Sequence, residues 1–299
     1  MKSSFLTLIG LLAASVAAGP VPADVGSALE ARANGDGSKN AGKDSGKKGT
    51  GGTATGGEAK AGNTSALVLP DGRIKADATP ESFNVLESVF KSAVVKGDGL
   101  KFSDVITFPK VDASLFDKAT NTKAFAINID DKSVFVPKGG EAQSNIRRAD
   151  LLPSIRSQAN DVAVTGVFNL ESKDFSFHQI DVRTGAENGK EIAIFGNSKT
   201  TGGAPKIFST PFGEGKFENF AIKMDFTANT VQVFHSSGND PLKQVTEPVK
   251  NDLAGLGEYH FSLQKNPVGQ SPQPAGIKEA VIFGGIFMED STSNPVTLQ

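Results

Sequence analysis

Phe220-Ala-Ile-Lys-Met-Asp-Phe226 and Thr230-Val-Gln-Val-Phe-His235 flank the short polar stretch Thr227-Ala228-Asn229. Two alternating apolar runs around so short a connection read as a β-hairpin. The same texture recurs on either side of it, at Ala124–Asp130, Phe175–Arg183, Glu191–Phe195, Tyr259–Gln264 and Ala280–Met288. At least seven such strands, against one helix candidate at Pro80–Lys91 opened by Thr79-Pro80-Glu81-Ser82, predict an all-β fold. The expected architecture is a jelly-roll or lectin-like sandwich of two antiparallel sheets.

Outward from these strands the texture changes abruptly. Residues 33–63 are Gly, Ser, Thr, Ala, Asn and Lys with no large apolar side chain, a composition expected to stay disordered. The folded domain is therefore placed at 66–291, with a short polar tail at 292–299. Residues 19–65 form an arm that includes a possible propeptide end at Leu29-Glu30-Ala31-Arg32 and an N-glycosylation sequon at Asn63. Before the arm, Lys2, the apolar run Phe5–Ala14 and the small residues Val16-Ala17-Ala18 have the three-part pattern of a signal peptide, residues 1–18. That run is shorter than the roughly 20 residues a membrane span needs. Secretion, with no membrane partner, is the expectation.

Composition narrows the chemistry. The 31 basic and 33 acidic residues are spread along the chain and sum to −2, without the basic face that nucleic acid demands. Cysteine is absent, so neither disulfides nor a thiol nucleophile is available. A domain of over 200 residues buries roughly 70% of its unfolded surface and does not need such staples. The 21 Phe residues suit a core free of polar obligations, whereas Trp is absent and Tyr occurs once. The three His residues, 178, 235 and 260, have no metal-ligand spacing, and no Gly-x-Ser-x-Gly elbow occurs. Carboxylates on β-strands remain, the equipment of glycosidic bond cleavage.

Eight segments then occur in a telling order. They are Asp71–Lys75, Val95–Asp104, Ile129–Phe135, Arg147–Pro153, Phe208–Phe212, Asp225–Val233, Tyr259–Leu263 and Phe283–Asp290. In this order they resemble the catalytic N-terminal domain of glycoside hydrolase family 131, a fungal β-glucanase family, over residues 67 to about 291. The resemblance implies a jelly roll with a substrate cleft on one sheet, β-glucan as partner and no cofactor or metal. It also implies Asp150 and Glu171 as the catalytic pair. The family carries Glu where Arg147-Arg148-Ala149-Asp150 ends in Asp, and a strand-and-loop segment before Glu171 is missing here. Asp is one methylene shorter than Glu, and a misplacement of about 1 Å costs roughly 100-fold in rate.

Alternation puts Arg148 and Asp150 on one face of a strand, and Arg147 with Ala149 on the other. A neighbouring Arg keeps a carboxylate ionised for catalysis, or equally makes a structural ion pair. Arg147, Arg148, Gln179 and His260 are the candidate substrate-binding residues. His178 and Gln179 fall on opposite faces of their strand, and Gln179 matches the family context better. The leading expectation is a secreted, monomeric β-glucan hydrolase. The rival is a glucan-binding or cell-wall-interacting protein that kept the fold and lost hydrolysis.

Overall fold

The computed structural model describes the backbone of residues 9–18 and, with side chains for nearly all, residues 72–84, 97–118, 120–137, 140–152, 168–172, 176–184, 191–213, 215–254, 258–267 and 272–290. The arm, Arg32, Asn63, the tail and the segment before β8 lie outside these. The strands are β1 (Ile9–Ala18), β2 (Ile74–Lys75), β3 (Ile106–Thr107), β4 (Thr122–Lys123), β5 (Phe125–Asp130) and β6 (Val134–Phe135). Next come β7 (Gln143–Leu151), β8 (Phe168–Glu171), β9 (His178–Thr184), β10 (Glu191–Phe195), β11 (Lys206–Pro211) and β12 (Glu218–Asp225). The last are β13 (Thr230–Ser237), β14 (Lys243–Gln244), β15 (Val249–Lys250), β16 (Glu258–Lys265) and β17 (Lys278–Asp290).

These strands build the expected sandwich. One sheet runs β14-β13-β12-β1-β17-β5-β3, with β15 also on β13, and the other runs β11-β10-β9-β8-β16-β7-β6. Every pairing in both is antiparallel. Alternate side chains of the longer strands, where described, fill the space between the sheets. Ile180, Val182, Ile192, Ile194, Tyr259 and Phe261 come from one sheet, and Ile222, Met224, Val231, Val233, Ile127 and Phe283 from the other. Phe261 meets Phe283 edge-on across the gap, ring centres 6.0 Å apart at 84°. Each fully buried side chain of this size contributes roughly 1.5–3 kcal/mol.

The opening hairpin forms as read. Asp225 pairs with Thr230, and the Asp225 carboxylate accepts the Thr227 and Ala228 N–H groups at 2.9 and 2.7 Å. Asn229 takes φ +52°, a left-handed conformation that Asn tolerates better than most residues. Of the helix candidate the described part is a 3-10 helix, Pro80–Asn84, with Phe83 buried, and residues 85–91 lie outside the described residues. A short helix, α1 (Phe102–Val105), lies inside a stretch read only as a motif.

In β17 the phase of alternation changes. Phe283 faces the inter-sheet core, and so do Ile286 and Met288. Phe287 instead packs on the outer face with Leu115, Phe116, Ala221 and Leu242. Gly284-Gly285 makes the switch. Gly285 has φ +62°, and a Cβ on Gly284 would lie 2.5 Å from the Asp117 carboxylate. The Asp71-Gly72-Arg73 motif gains a reason from the same strand. A Cβ on Gly72 would come within 3.0 Å of the Ile286 carbonyl, and Arg73 stacks 4.9 Å over the Phe287 ring. Ile9–Ala18, the described part of the stretch read as a signal peptide, occupies an inner position as β1, between β12 and β17.

Phe283→Ala should lower the unfolding free energy by about 3–5 kcal/mol, measured by urea denaturation, because it opens a cavity at the inter-sheet contact. Gly285→Val should be destabilising as well, since a β-branched residue is placed at positive φ against Phe116.

Candidate functional site

Strand β7 turns Ala149 and Leu151 into the core, so Arg148 and Asp150 face outward. On β16, Tyr259 and Phe261 point inward and His260 and Ser262 outward. Asp150 lies opposite Ser262 in register, and His260 opposite Asn169 of β8. The outer faces of β7, β16, β8 and β9 thereby bring ionisable side chains from distant parts of the chain into one row.

Asp150 is the anchor of that row. Its side chain has 0% exposure. Arg148 donates from Nε to both carboxylate oxygens at 2.8 and 2.9 Å, and its Nη2 lies 2.6 Å from Oδ2. His260 Nδ1 stands 3.0 Å from the same Oδ2. Burial alone would raise the Asp150 pKa, but the Arg148 charge and the hydrogen bonds from His260 and Arg148 outweigh it and hold it at about 2. Arg148 is raised in turn: burial lowers it, and the Asp150 charge more than compensates.

Glu171 sits beside this pair with its side chain 12% exposed. Its Oε2 is 3.4 Å from His260 Nε2 and 3.8 Å from Arg148 Nη2. Burial pushes Glu171 up, yet the nearby His178 imidazole and the His260 and Arg148 charges bring it below the ordinary carboxylate value. Arg148 Nη2 touches both carboxylates, at 2.6 and 3.8 Å. The guanidinium of Arg148 thus stands between the two carboxylates.

The other expected residues fall differently. Arg147 lies on the opposite face from Arg148, its guanidinium reaching the Ile146 carbonyl at 3.4 Å and its charge acting on Asp131. Gln179 is buried and donates from Nε2 to the Leu253 carbonyl at 2.8 Å, so its side chain does not line the cleft. His178 takes that place, 3.8 Å from Glu171 and 3.5 Å from Asp181. A register shift in the β8–β9 pairing is responsible: Leu170 pairs with Ile180 but Glu171 with His178, leaving Gln179 as the extra residue. The two residues do lie on opposite faces as alternation requires, but it is His178 and not Gln179 that faces the cleft. His235 is remote from the row, bonded to Glu218 at 2.7 Å and lodged against Phe208 and Phe220.

The row borders a cavity of about 440 Å³ lined by Phe177, His178, Asp181, Arg183, Ser262 and Gln264. Among the described residues no group of His, Asp or Glu is arranged to hold a metal ion, and no helix is long and apolar enough to cross a membrane.

A β-sandwich with carboxylates on the outer face of one sheet is an architecture of glycoside hydrolases. The family model of the glycoside hydrolase 131 catalytic N-terminal domain matches residues 68–170 and 165–294, and the chain belongs to that family. Two solved structures share its fold. A GH131 β-glucanase catalytic domain from Podospora anserina is 17% identical with a TM-score of 0.58, the match covering 78% of this chain and 98% of that one. A family 131 catalytic domain from Coprinopsis cinerea is 20% identical with a TM-score of 0.53, covering 78% and 97%. The sandwich is thus the jelly roll of this family. Among curated proteins none matches the chain.

The depressed Asp150 value sets a direction for stability against pH. The folded value of about 2 lies below the ordinary 3.8, so the contribution is complete above pH 4 and fades as pH falls toward 2. Urea denaturation should show about 2 kcal/mol lost over that window from this group. Asp150→Asn should remove that part of the pH dependence. It should also cost about 3–5 kcal/mol at neutral pH, because Arg148 is left buried without its partner.

Proposed function

We propose that this chain is an exported, β-glucan-active glycoside hydrolase in which Glu171 is the carboxylate presented to substrate. One observation carries the reading: Glu171 is the partly exposed acid of a row that also holds Arg148, Asp150 and His260 on the cleft face. In a two-carboxylate mechanism Glu171, kept ionised, acts as nucleophile or base. Asp150 is the second carboxyl of the pair. No cofactor enters such a mechanism. β-Glucan as the substrate is supported by the family and by the Podospora relative named a β-glucanase.

A second reading is favoured by Asp150 itself. A carboxylate with no exposed atom, both oxygens engaged by Arg148 and one also by His260, cannot touch a sugar in this arrangement. The protein would then bind glucan at the same cleft without cutting it. The longer side chain of Asp150→Glu restores about 1.5 Å of reach, and misplacement by about 1 Å costs roughly 100-fold.

Incubation with β-1,3-, β-1,4- and β-1,6-glucans, scoring reducing ends and pull-down together, separates the two readings. Hydrolysis is expected to rise in Asp150→Glu and to vanish in Glu171→Gln, alone or combined with Asp150→Glu. Pull-down without release from parent and Asp150→Glu alike would establish the binder.

Export carries a structural consequence. Cleavage after Ala18 would remove β1, whose neighbours β12 and β17 stand two strand spacings apart, about 9–10 Å. The protein recovered from medium should begin after Ala18, read by N-terminal mass spectrometry. Recovery with residues 9–18 still attached would make that run a structural strand and overturn the signal-peptide reading.

A further inference from the structure

The structure assigns a role to His178 that the sequence pattern conceals: we infer that it is a positioning residue, holding the Glu171 carboxylate charged and aimed into the cleft, with Asp181 bracing it from behind. The inference rests on the reading of Glu171 as the working carboxylate, and it adds a residue outside the Arg148–Asp150–His260 group.

The observation underneath is the irregular β8–β9 pairing. In regular register Glu171 would stand opposite Gln179, a neutral amide. The extra residue moves the pairing by one, so Glu171 stands opposite His178 and the Gln179 side chain goes to the Leu253 carbonyl. Bulges of this kind recur beside active sites, where they re-aim a side chain. The displaced strand end is pinned from both sides. The His178 N–H donates to Ser198 Oγ at 3.0 Å, and the His178 carbonyl accepts the Ser198 N–H at 2.9 Å. Asn251 Nδ2 donates to the Gln179 carbonyl at 2.9 Å, which secures the bulged residue itself.

The imidazole is therefore set between two carboxylates on one face. Nε2 is 3.8 Å from Glu171 Oε1, and Nδ1 is 3.5 Å from Asp181 Oδ2. Arg183 Nη1 holds Asp181 in turn at 3.3 Å. Burial opposes the imidazolium, but Asp181 and Glu171 overcome it and raise its pKa to about 9. A cation at this position faces Glu171 from β9, while Arg148 faces it from β7 and His260 from β16. Glu258 of β16 is its partner in register. Lys199 sits over the Phe177 ring, with its Nζ bonded to Ser176. With cationic His178 against Oε1 and Arg148 near Oε2, Glu171 is gripped from both sides, as an oriented nucleophile or base requires.

The test compares the parent with His178→Gln, His178→Lys, Asp181→Asn and Glu171→Gln. The Glu171 carboxyl is titrated by carbon NMR in each folded protein that retains it, and glucan hydrolysis is followed against pH. In His178→Gln the Glu171 midpoint should rise and the acid limb of the rate profile should move with it to higher pH. KM should stay within about twofold, because the change acts on the charge state and aim of Glu171 rather than on uniform binding. His178→Lys should bring the midpoint back down by restoring a cation. Should His178→Gln fail to fold, Asp181→Asn decides instead: the His178 midpoint must fall from about 9 and the Glu171 midpoint must rise. An unchanged Glu171 midpoint in folded His178→Gln, or in Asp181→Asn, overturns the inference. Full hydrolysis in Glu171→Gln would overturn the reading of Glu171 while the NMR titration still judges His178, so the two failures are distinct.

Discussion

The contact between Phe261 and Phe283 ties the two sheets together, and the cleft depends on it through the strands that carry it. A strand has two faces, so burying Phe261 and Tyr259 obliges His260 and Ser262 to point the other way. Burying Ala149 and Leu151 does the same for Arg148 and Asp150. The hydrophobic term that drives the sheets together thus also sorts the polar residues onto one outer surface. The residues that β7 and β16 contribute to the row need no energetic reason of their own to be there.

What those polar residues do once assembled follows from charge and burial. Arg148 and Asp150 lose water together, which is tolerable because each satisfies the other through hydrogen bonds of 2.8 and 2.9 Å. His260 joins this buried pair to Glu171. His178, Asp181 and Arg183 continue the row across β9 with alternating charge. The arrangement stabilises ionised carboxylates, and it leaves Glu171 rather than Asp150 as the acid nearer to solvent.

Departures from regular alternation carry as much consequence as the alternation itself. In β17 the Gly284-Gly285 pair shifts Phe287 to the outer face, where it supports the 114–117 loop through Phe116 at 5.4 Å between ring centres. In β9 the extra residue buries Gln179 and delivers His178 to Glu171. Each irregularity is held by specific partners: Phe116 and Asp117 in the first case, Ser198, Asn251 and the Leu253 carbonyl in the second.

The sequence by itself determined the sandwich, the hairpin at Thr227–Asn229 and the outward face shared by Arg148 and Asp150, because period-two alternation is local and needs only the order of residues. The same period-two logic puts His260 and Ser262 on one face, opposite Tyr259 and Phe261. Only the tertiary structure decided that Gln179 stays out of the cleft and that His178 enters it. Gln179 leaves the face predicted for it because a bulge, stabilised by residues more than seventy positions away, changes the phase, and no local pattern announces that. The burial of Asp150 was likewise invisible, since it depends on His260 arriving from another strand 110 residues distant. The place of residues 9–18 between β12 and β17 belongs to the same class, because a run of small and apolar residues suits a signal peptide and an inner strand equally well.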